Sequence, residues 1–552
     1  MMKYAHDRIK EPLKLRSPAD IKWNLAHDVI IVGFGGAGVS AALEARAKGA
    51  DVAVIDRFSG GGATAICGNV VYAGGGTHIQ KEAGVEDTPE DMFRYLQAET
   101  GGIVSDRTLS HFCEGSADTL KWLEQQGVRF KSTCTLKKTS YPASGIHLYH
   151  SGSELNPRYA KLARPAPRGH IAYGGFRLRA TGHPDFYAPL RKSAFEQGVS
   201  TYLQAEAVRL IQTVDGRIIG VEIRQLPPGT KAEKAYIRYS RRADKWHLYA
   251  PGLAAKYRRK AQAVADSHAR TMFLQARKGV ILSSGGFVMN RDMVRTYAPG
   301  YLKGLALGTS GCNGSGIALG QSAGGATQNM DRITAWRFIN PPHAWAMGMI
   351  VDGKGARYVD ETLYGAAIGD AMCLEAAGKA TLVINHSLKW KAMREILPWR
   401  ARAFQYIPAF ISMMFKTTKG QTIDELAEKT GLAPAILRRT LETYNAAARG
   451  ERKDDFGKPV ADMQEMDRGA YYAIDVSLDN KVLPCPTLTL GGLQVNEQTG
   501  EVLREDGGEI PGLYAAGRTA IGIASNAYVS GLSVADCVYS GRRAGSHAAG
   551  GT

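Results

Sequence analysis

Residues 27–50 read HDVIIVGFGGAGVSAALEARAKGA, followed by Asp51-Val-Ala-Val-Ile-Asp56. Val29 to Val32 is a β-branched apolar run that stops at Gly33, and an Ala-rich stretch of helical composition begins after Gly35. The order strand, Gly33-x-Gly35-x-x-Gly38, helix, strand, acid gives each residue a mechanical task. Gly33 permits the tight turn, Gly35 lets a pyrophosphate approach the backbone, and Gly38 lets the helix pack closely on the strand. The helix N-terminus, with its free N–H groups and dipole, favours the anion, and Asp56 can accept from ribose hydroxyls. A glycine-rich turn alone says little. With strand, helix and acid in place, it predicts a dinucleotide site.

The 552-residue chain is long enough for about two to four domains. Its 44% hydrophobic and 22% charged residues exclude a disordered or fibrous protein. The 64 glycines fall in clusters, not in a repeat. One cluster follows directly on Asp56: Ser59-Gly-Gly-Gly-Ala-Thr64, then Cys67-Gly-Asn-Val-Val-Tyr-Ala-Gly-Gly-Gly-Thr77. A nicotinamide domain would continue there with another strand and helix. A second glycine-rich loop suits backbone approach to the flavin end of a longer cofactor. Lys278-Gly-Val-Ile-Leu-Ser-Ser-Gly-Gly-Phe287 and Ile510-Pro-Gly-Leu-Tyr-Ala-Ala-Gly-Arg518 are two further strand-then-glycine segments.

In that order the four motifs resemble the FAD-dependent fumarate reductase and succinate dehydrogenase flavoprotein superfamily, over nearly the whole chain. The resemblance implies an α/β fold: a Rossmann-like FAD-binding domain, residues 25–328 and 466–552, with an inserted α+β capping domain, residues 329–465. Residues 1–24 are left as an N-terminal extension. The chain does change character after Asn329, with Trp336, Trp345, Trp390 and Trp399 and a helix-like stretch from Thr422 to Ala448. The candidate FAD-binding residues are Gly33, Gly35, Gly36, Ala37, Gly38, Asp56 and Arg57, then Ala63, Thr64, Gly68, Gly74, Gly75 and Gly76. Ala207, Gly285, Gly286, Gly517, Asn526, Ser533 and Val534 complete the set. No His lies between Gly61 and Ile66, so the cofactor is expected to be held non-covalently.

Fumarate and succinate enzymes of the superfamily would show a His beside the C-terminal flavin loop. Here Arg518 to Asp536 contains none and offers Tyr528-Val-Ser530-Gly-Leu-Ser instead. This is similar to the 3-ketosteroid dehydrogenases, and to their Δ4 branch in pairing a Tyr with a Ser two residues on. Ala356-Arg-Tyr-Val-Asp-Glu-Thr-Leu-Tyr364 resembles that family's Arg-(Phe/Tyr)-x-(Asn/Asp)-Glu segment with a catalytic Tyr after it, which points to Tyr364, with Tyr358 as the alternative register. The implied roles follow the chemistry of desaturation beside a ketone. Tyr528, with a backbone N–H near Gly531 or Leu532, polarises the C3 carbonyl. Tyr364, helped by Ser530, takes the C4 proton, and hydride passes from C5 to flavin N5. A phenol of pKa about 10 needs that help at neutral pH. Tyr141 and Tyr149 carry no sequence signal that places them, and Cys67 reads as packing. The rivals are a Δ1-dehydrogenase, another enone or fumarate-type reductase, or a flavin electron-transfer subunit without its own substrate.

The charge, 69 Lys+Arg against 52 Asp+Glu, gives +17. Part of it lies in a basic insertion at about 226–277, with Trp246, Tyr249 and Tyr257 among its basic residues. That text suits a solvated helix face or an anionic membrane surface. A second membrane candidate runs from Leu397 to Lys416. No recognition module accompanies the charge, so nucleic acid is not expected as a partner. Seven cysteines without a CxxC pair, and a polar N-terminus without an apolar core, predict a cytoplasmic protein without disulfide framework or metal site. The expected partners are a 3-ketosteroid substrate and an external electron acceptor. Oligomeric state is not legible.

Overall fold

The structure, a computed structural model, describes residues 8–172, 185–247, 249–397 and 403–550. Its first motif folds as the spacing predicts: β1 (Leu25–Val32), α1 (Gly36–Ala47) and β2 (Val52–Asp56), the strands parallel and adjacent. Val29, Ile30 and Ile31 have no exposed surface, as expected of a parallel strand covered on both faces. Each such side chain contributes roughly 1.5–3 kcal/mol through burial. Gly33 turns at φ +108°, and a Cβ there would press on the Ser283 carbonyl at 2.7 Å. A Cβ on Gly38 would collide with the Gly33 carbonyl, so α1 can sit this close only with glycine.

β3 (Ser200–Leu203) continues the sheet beyond β2. A meander follows: β4 (Ala205–Thr213), β5 (Ile218–Gln225), the helical pair α2 (Lys231–Trp246) and α3 (Pro251–His268), and β6 (Arg270–Leu282). β6 joins different ladders along its length. Arg270–Gln275 runs antiparallel to β5, while Leu274–Ala276 and Gly279–Leu282 run parallel to β1. The basic insertion is therefore a helical hairpin that ends at His268, because residues 270–277 are strand. Leu13–Leu15 pairs with β4, so the described part of the N-terminal extension supplies an edge strand of the sheet.

A separate four-stranded antiparallel sheet is built from β7 (Met349–Val351), β8 (Thr381–Asn385), β9 (Thr417–Gly420) and β10 (Tyr471–Asp475), in the order β7-β8-β10-β9. Because β10 lies at its centre, this excursion extends past residue 465, the boundary expected from the sequence. Between β8 and β9 lies α4 (Ala403–Phe415). The Thr422–Ala448 stretch is two helices, Ile423–Thr430 and Pro434–Ala448, parted at Gly431 with φ +74°. The chain then returns to the first sheet as β11 (Glu509–Ala515), parallel to the second half of β6. It ends in α5 (Leu532–Gly550), where a Cβ on Gly541 or Gly545 would meet the Ala37 or Ala41 carbonyl of α1. No described helix is long and apolar enough to cross a membrane.

Candidate active site

A cavity of about 960 Å³ opens along the C-terminal ends of β1, β2 and β6, the edge where open α/β sheets bind ligands. Its size is at the upper end of the ~300–1,000 Å³ range of ligand sites. Of the residues singled out in the sequence, Gly33, Gly35, Gly36, Ala37, Asp56, Arg57, Ala63, Thr64, Gly68, Ala207, Gly285, Gly517, Ser533 and Val534 line it, as do Tyr528 and Ser530. Gly35 caps α1 without a side chain, and the Thr64 hydroxyl accepts from the Gly36 N–H at 3.1 Å. The Asp56 carboxylate accepts from Phe34 N–H at 2.9 Å and Phe58 N–H at 2.7 Å, so it braces the turn as well as facing the cavity. Burial pushes its pKa up, and those N–H groups oppose the shift.

Other candidates lie elsewhere. Gly74, Gly75 and Gly76 do not line the cavity. They belong to a buried polar knot in which the Gly75 N–H donates to Asp87 at 3.0 Å and the Gly76 N–H to Gln80 at 3.2 Å. Asp87 is itself paired with Arg168, both fully buried. Gly286 is hemmed in by Thr489, whose hydroxyl also accepts from the Phe287 N–H. Asn526 donates to the Thr100 carbonyl at 2.9 Å and so ties down a loop. Gly38 serves helix packing, not ligand approach. These glycines share the look of a cofactor loop because any tight backbone crossing selects the same residue.

A second group of lining residues is aromatic and apolar: Tyr141, Trp336, Phe338, Trp345 and Tyr528, with Leu305, Leu307, Leu483 and Leu488. The Trp336 and Tyr528 rings lie 4.6 Å apart at 35°. Tyr364 packs edge-on against Phe338 at 5.6 Å and is 3% exposed, so it stands in the wall and not on the cavity surface. Its phenol oxygen has no hydrogen-bond partner of good geometry among the described residues. The nearby Ser530 hydroxyl is the group that favours its ionisation. Ser530 in turn shares a 3.3 Å hydrogen bond with the Tyr149 phenol. Burial, then the neighbouring tyrosines, push Tyr364 well above the usual phenol range, and burial does the same to Tyr528. Cys67 also lines the cavity, and burial pushes its thiol up to about 11, so it stays neutral.

The Arg357–Glu361 segment explains why Tyr364 is held where it is. Glu361 is fully buried and accepts from Arg357 Nε at 2.9 Å, Lys458 Nζ at 3.0 Å and the Ile350 N–H at 2.8 Å. The two cations outweigh its burial and hold its pKa at about 2. Asp360 accepts from Asn156 at 2.6 Å, and the Tyr364 N–H donates to Ser153 at 3.0 Å. Tyr358, the alternative register, contacts the apolar core of the antiparallel excursion instead. Tyr141, Tyr149, Trp336 and Phe338 are site residues that nothing in their local sequence marks. Only the fold brings them to Tyr528.

The Ser240 and Ser284 hydroxyls are buried at the cavity without a partner in the described residues. Together with the open N-terminus of α1 and the glycine-lined wall, they fit a long polar cofactor with an apolar substrate beside it. A family model for the FAD binding domain matches residues 28–533. The chain belongs to this FAD-binding family. It is 40% identical to the 3-oxo-5-alpha-steroid 4-dehydrogenase of Comamonas testosteroni, over 92% of this chain and 96% of that protein. It is 25% identical to the 3-oxosteroid 1-dehydrogenase of Mycolicibacterium smegmatis, over 91% of this chain and 93% of that one. Among solved structures, it matches the 3-ketosteroid-delta4-(5alpha)-dehydrogenase of Rhodococcus jostii RHA1 in complex with 4-androstene-3,17-dione. That match has a TM-score of 0.81 and 28% identity, and covers 98% of this chain and all of that one.

Proposed function

We propose that this FAD-dependent oxidoreductase is a 3-ketosteroid Δ4-dehydrogenase, which introduces the C4–C5 double bond into a 5-saturated 3-ketosteroid and passes the electrons to an external acceptor. The observation that carries the reading is the grouping of Tyr528, Ser530 and Tyr364 at one aromatic, apolar wall. The activity printed for the 40% identical relative agrees with it. Bound flavin supplies the two-electron acceptor. Tyr528 donates its phenolic proton to the C3 oxygen and so acidifies C4. Its raised pKa keeps that proton in place at neutral pH. Tyr364, held in the wall beside Ser530, takes the C4 proton in its ionised form, which the Ser530 hydroxyl stabilises. The dry wall formed by Trp336 and Phe338 holds the flat substrate and excludes water.

Rapid anaerobic mixing with a 5α-saturated 3-ketosteroid, followed by product NMR, tests this. Bleaching of the oxidised flavin with a new C4–C5 double bond is expected. An unbleached flavin, or a double bond at C1–C2, overturns it.

The site's partner surface is part of the same proposal. One face of α4 lines the cavity through Gln405, Pro408 and Ala409, while Ile407, Phe410, Met414 and Phe415 are exposed on its other side. An apolar helix face on a cavity wall, in a chain of charge +17, fits docking on an anionic bilayer from which a sterol can enter directly. Residues 398–402 of the sequence candidate lie outside the described residues. Co-sedimentation with phosphatidylserine vesicles at low salt, lost on Phe410→Ser with Phe415→Ser, is the expected result. Failure of the unaltered chain to sediment overturns it.

A further inference from the structure

The hairpin between β5 and β6 is longer than the ladder needs. These antiparallel strands could be joined by a two-residue turn, yet the chain leaves at Gln225 and returns only at Arg270. One face of α2 explains the excursion: Tyr236, Ile237, Ser240, Arg241 and Asp244 fall on one helical stripe and line the cavity. They do so beside Asp56, Arg57, Phe58 and Glu206, the end at which a dinucleotide places its adenosine ribose. The Tyr236 ring is stacked near that of Phe58, with centroids 6.1 Å apart at 18°.

Two observations point to a ligand under this helix. Ser240 is 8% exposed, and its hydroxyl has no hydrogen-bond partner among the described residues, a costly arrangement unless a bound group completes it. Arg241 faces the cavity from an exposed position and pairs with no carboxylate of the described chain. Asp244, the one acid on the stripe, is already engaged. It accepts from the Ser310 N–H at 3.1 Å and its hydroxyl at 2.7 Å.

The hairpin is also fastened at both ends. Arg57 donates to Gln262 at 2.7 Å near its base. At the tip, Arg258 donates to Ser310 at 3.0 Å, and the His247 ring nitrogen bonds the Ala306 carbonyl at 2.7 Å.

We propose that the hairpin Lys231–His268 is a clasp over the adenosine half of bound FAD. In it Ser240 is a hydrogen-bonding ligand, Tyr236 and Phe58 form an aromatic wall, and Arg241 is a counter-charge to the phosphate on the adenosine side, which FMN lacks. The clasp makes retention of the cofactor depend on its adenosine half, so FMN, which lacks that half, gains nothing from it. The Arg241 charge thereby finds a ligand inside the molecule.

The test does not depend on the steroid reading, since its readout is flavin binding alone. FAD release from the purified holoprotein is followed by flavin fluorescence on dilution, and FMN affinity by titration of the reversibly deflavinated protein. Ser240→Ala and Arg241→Gln are each expected to speed FAD release about 5- to 20-fold. FMN affinity is expected to stay within about twofold. FAD release unchanged in both variants overturns the clasp, as does equal weakening of FAD and FMN. Arg241 is exposed, so its replacement does not disturb the core.

Discussion

The Tyr149 phenol and the Ser530 hydroxyl share a buried hydrogen bond of 3.3 Å, and Ser530 is also the group that eases ionisation of Tyr364. One hydroxyl thus bonds one phenol and stands beside a second. A proton accepted by Tyr364 can be shared through Ser530 without water in the substrate cavity. Tyr364→Phe should lower the rate of anaerobic flavin reduction by about 10²- to 10⁴-fold, and Ser530→Ala by less. Tyr149→Phe should give a loss nearer that of Ser530→Ala. Burial holds the Tyr364 pKa above the usual phenol value, so the unaltered chain's reduction rate should keep rising with pH beyond pH 9. A plateau near neutrality would remove Tyr364 as the base.

Tyr528 has a different task and should show it. Its phenol lies on the cavity surface against Trp336. Tyr528→Phe keeps the ring and removes the donor, so loss of a polarising hydrogen bond should cost about 10²- to 10³-fold in kcat. Binding of an apolar steroid, read from the perturbation of the flavin spectrum, should change little. A large loss of binding with kcat intact would assign Tyr528 to packing.

The Glu361 cluster predicts a stability effect. Removing its charge leaves Lys458 buried beside a neutral amide and takes from Arg357 one of its two carboxylates, the other being Asp454. Glu361→Gln should therefore destabilise the fold by about 3–5 kcal/mol, visible as a lower denaturation midpoint. Flavin reduction should slow as well, because the Tyr364 loop loses its anchor. Full stability with normal reduction would show the cluster to be dispensable.

Legibility in the sequence divided along physical lines. The strand-turn-helix around Gly33 and Gly38 could be read because its constraints are local: β-branched residues, turn glycines and an acid within one short stretch. Tyr528 and Ser530 stand out from their neighbours between Arg518 and Asp536, and both line the cavity. Tyr149 does not stand out, because its partner Ser530 is 381 positions away and a lone tyrosine carries no mark. Gly74–Gly76 misled for the opposite reason. Gly74 answers a local crowding by Asp87, Arg168 and Met92, and Gly75 and Gly76 a turn at φ +71° and +83°, which in sequence look like room for a cofactor. The hairpin's basic text was visible, but not that its inner face turns to the cavity.

Glu99 supplies a pH test of the fold itself. Burial raises its carboxyl pKa to about 7, so the folded chain holds a proton that the unfolded chain gives up near pH 4.5. Stability from this group is full below about pH 4.5 and is lost as pH rises through about 7. Glu99→Gln should therefore lose less stability than the unaltered chain between pH 5 and pH 8, measured by denaturant unfolding at each pH. His150, held at about 4 by burial, acts in the opposite sense in both proteins and cancels in the comparison. Parallel pH curves would place Glu99 in contact with water.

The strand Glu509–Ala515 and the helix Leu532–Gly550 close the sheet against α1, and Gly517, Tyr528 and Ser530 lie in or between them. The nucleotide turn at Gly33 and the wall at Gly517, Tyr528 and Ser530 that faces it come from stretches far apart in the sequence. Neither stretch encloses a ligand without the other, so the cofactor site is a property of the closed sheet and not of the glycine motif that first announces it.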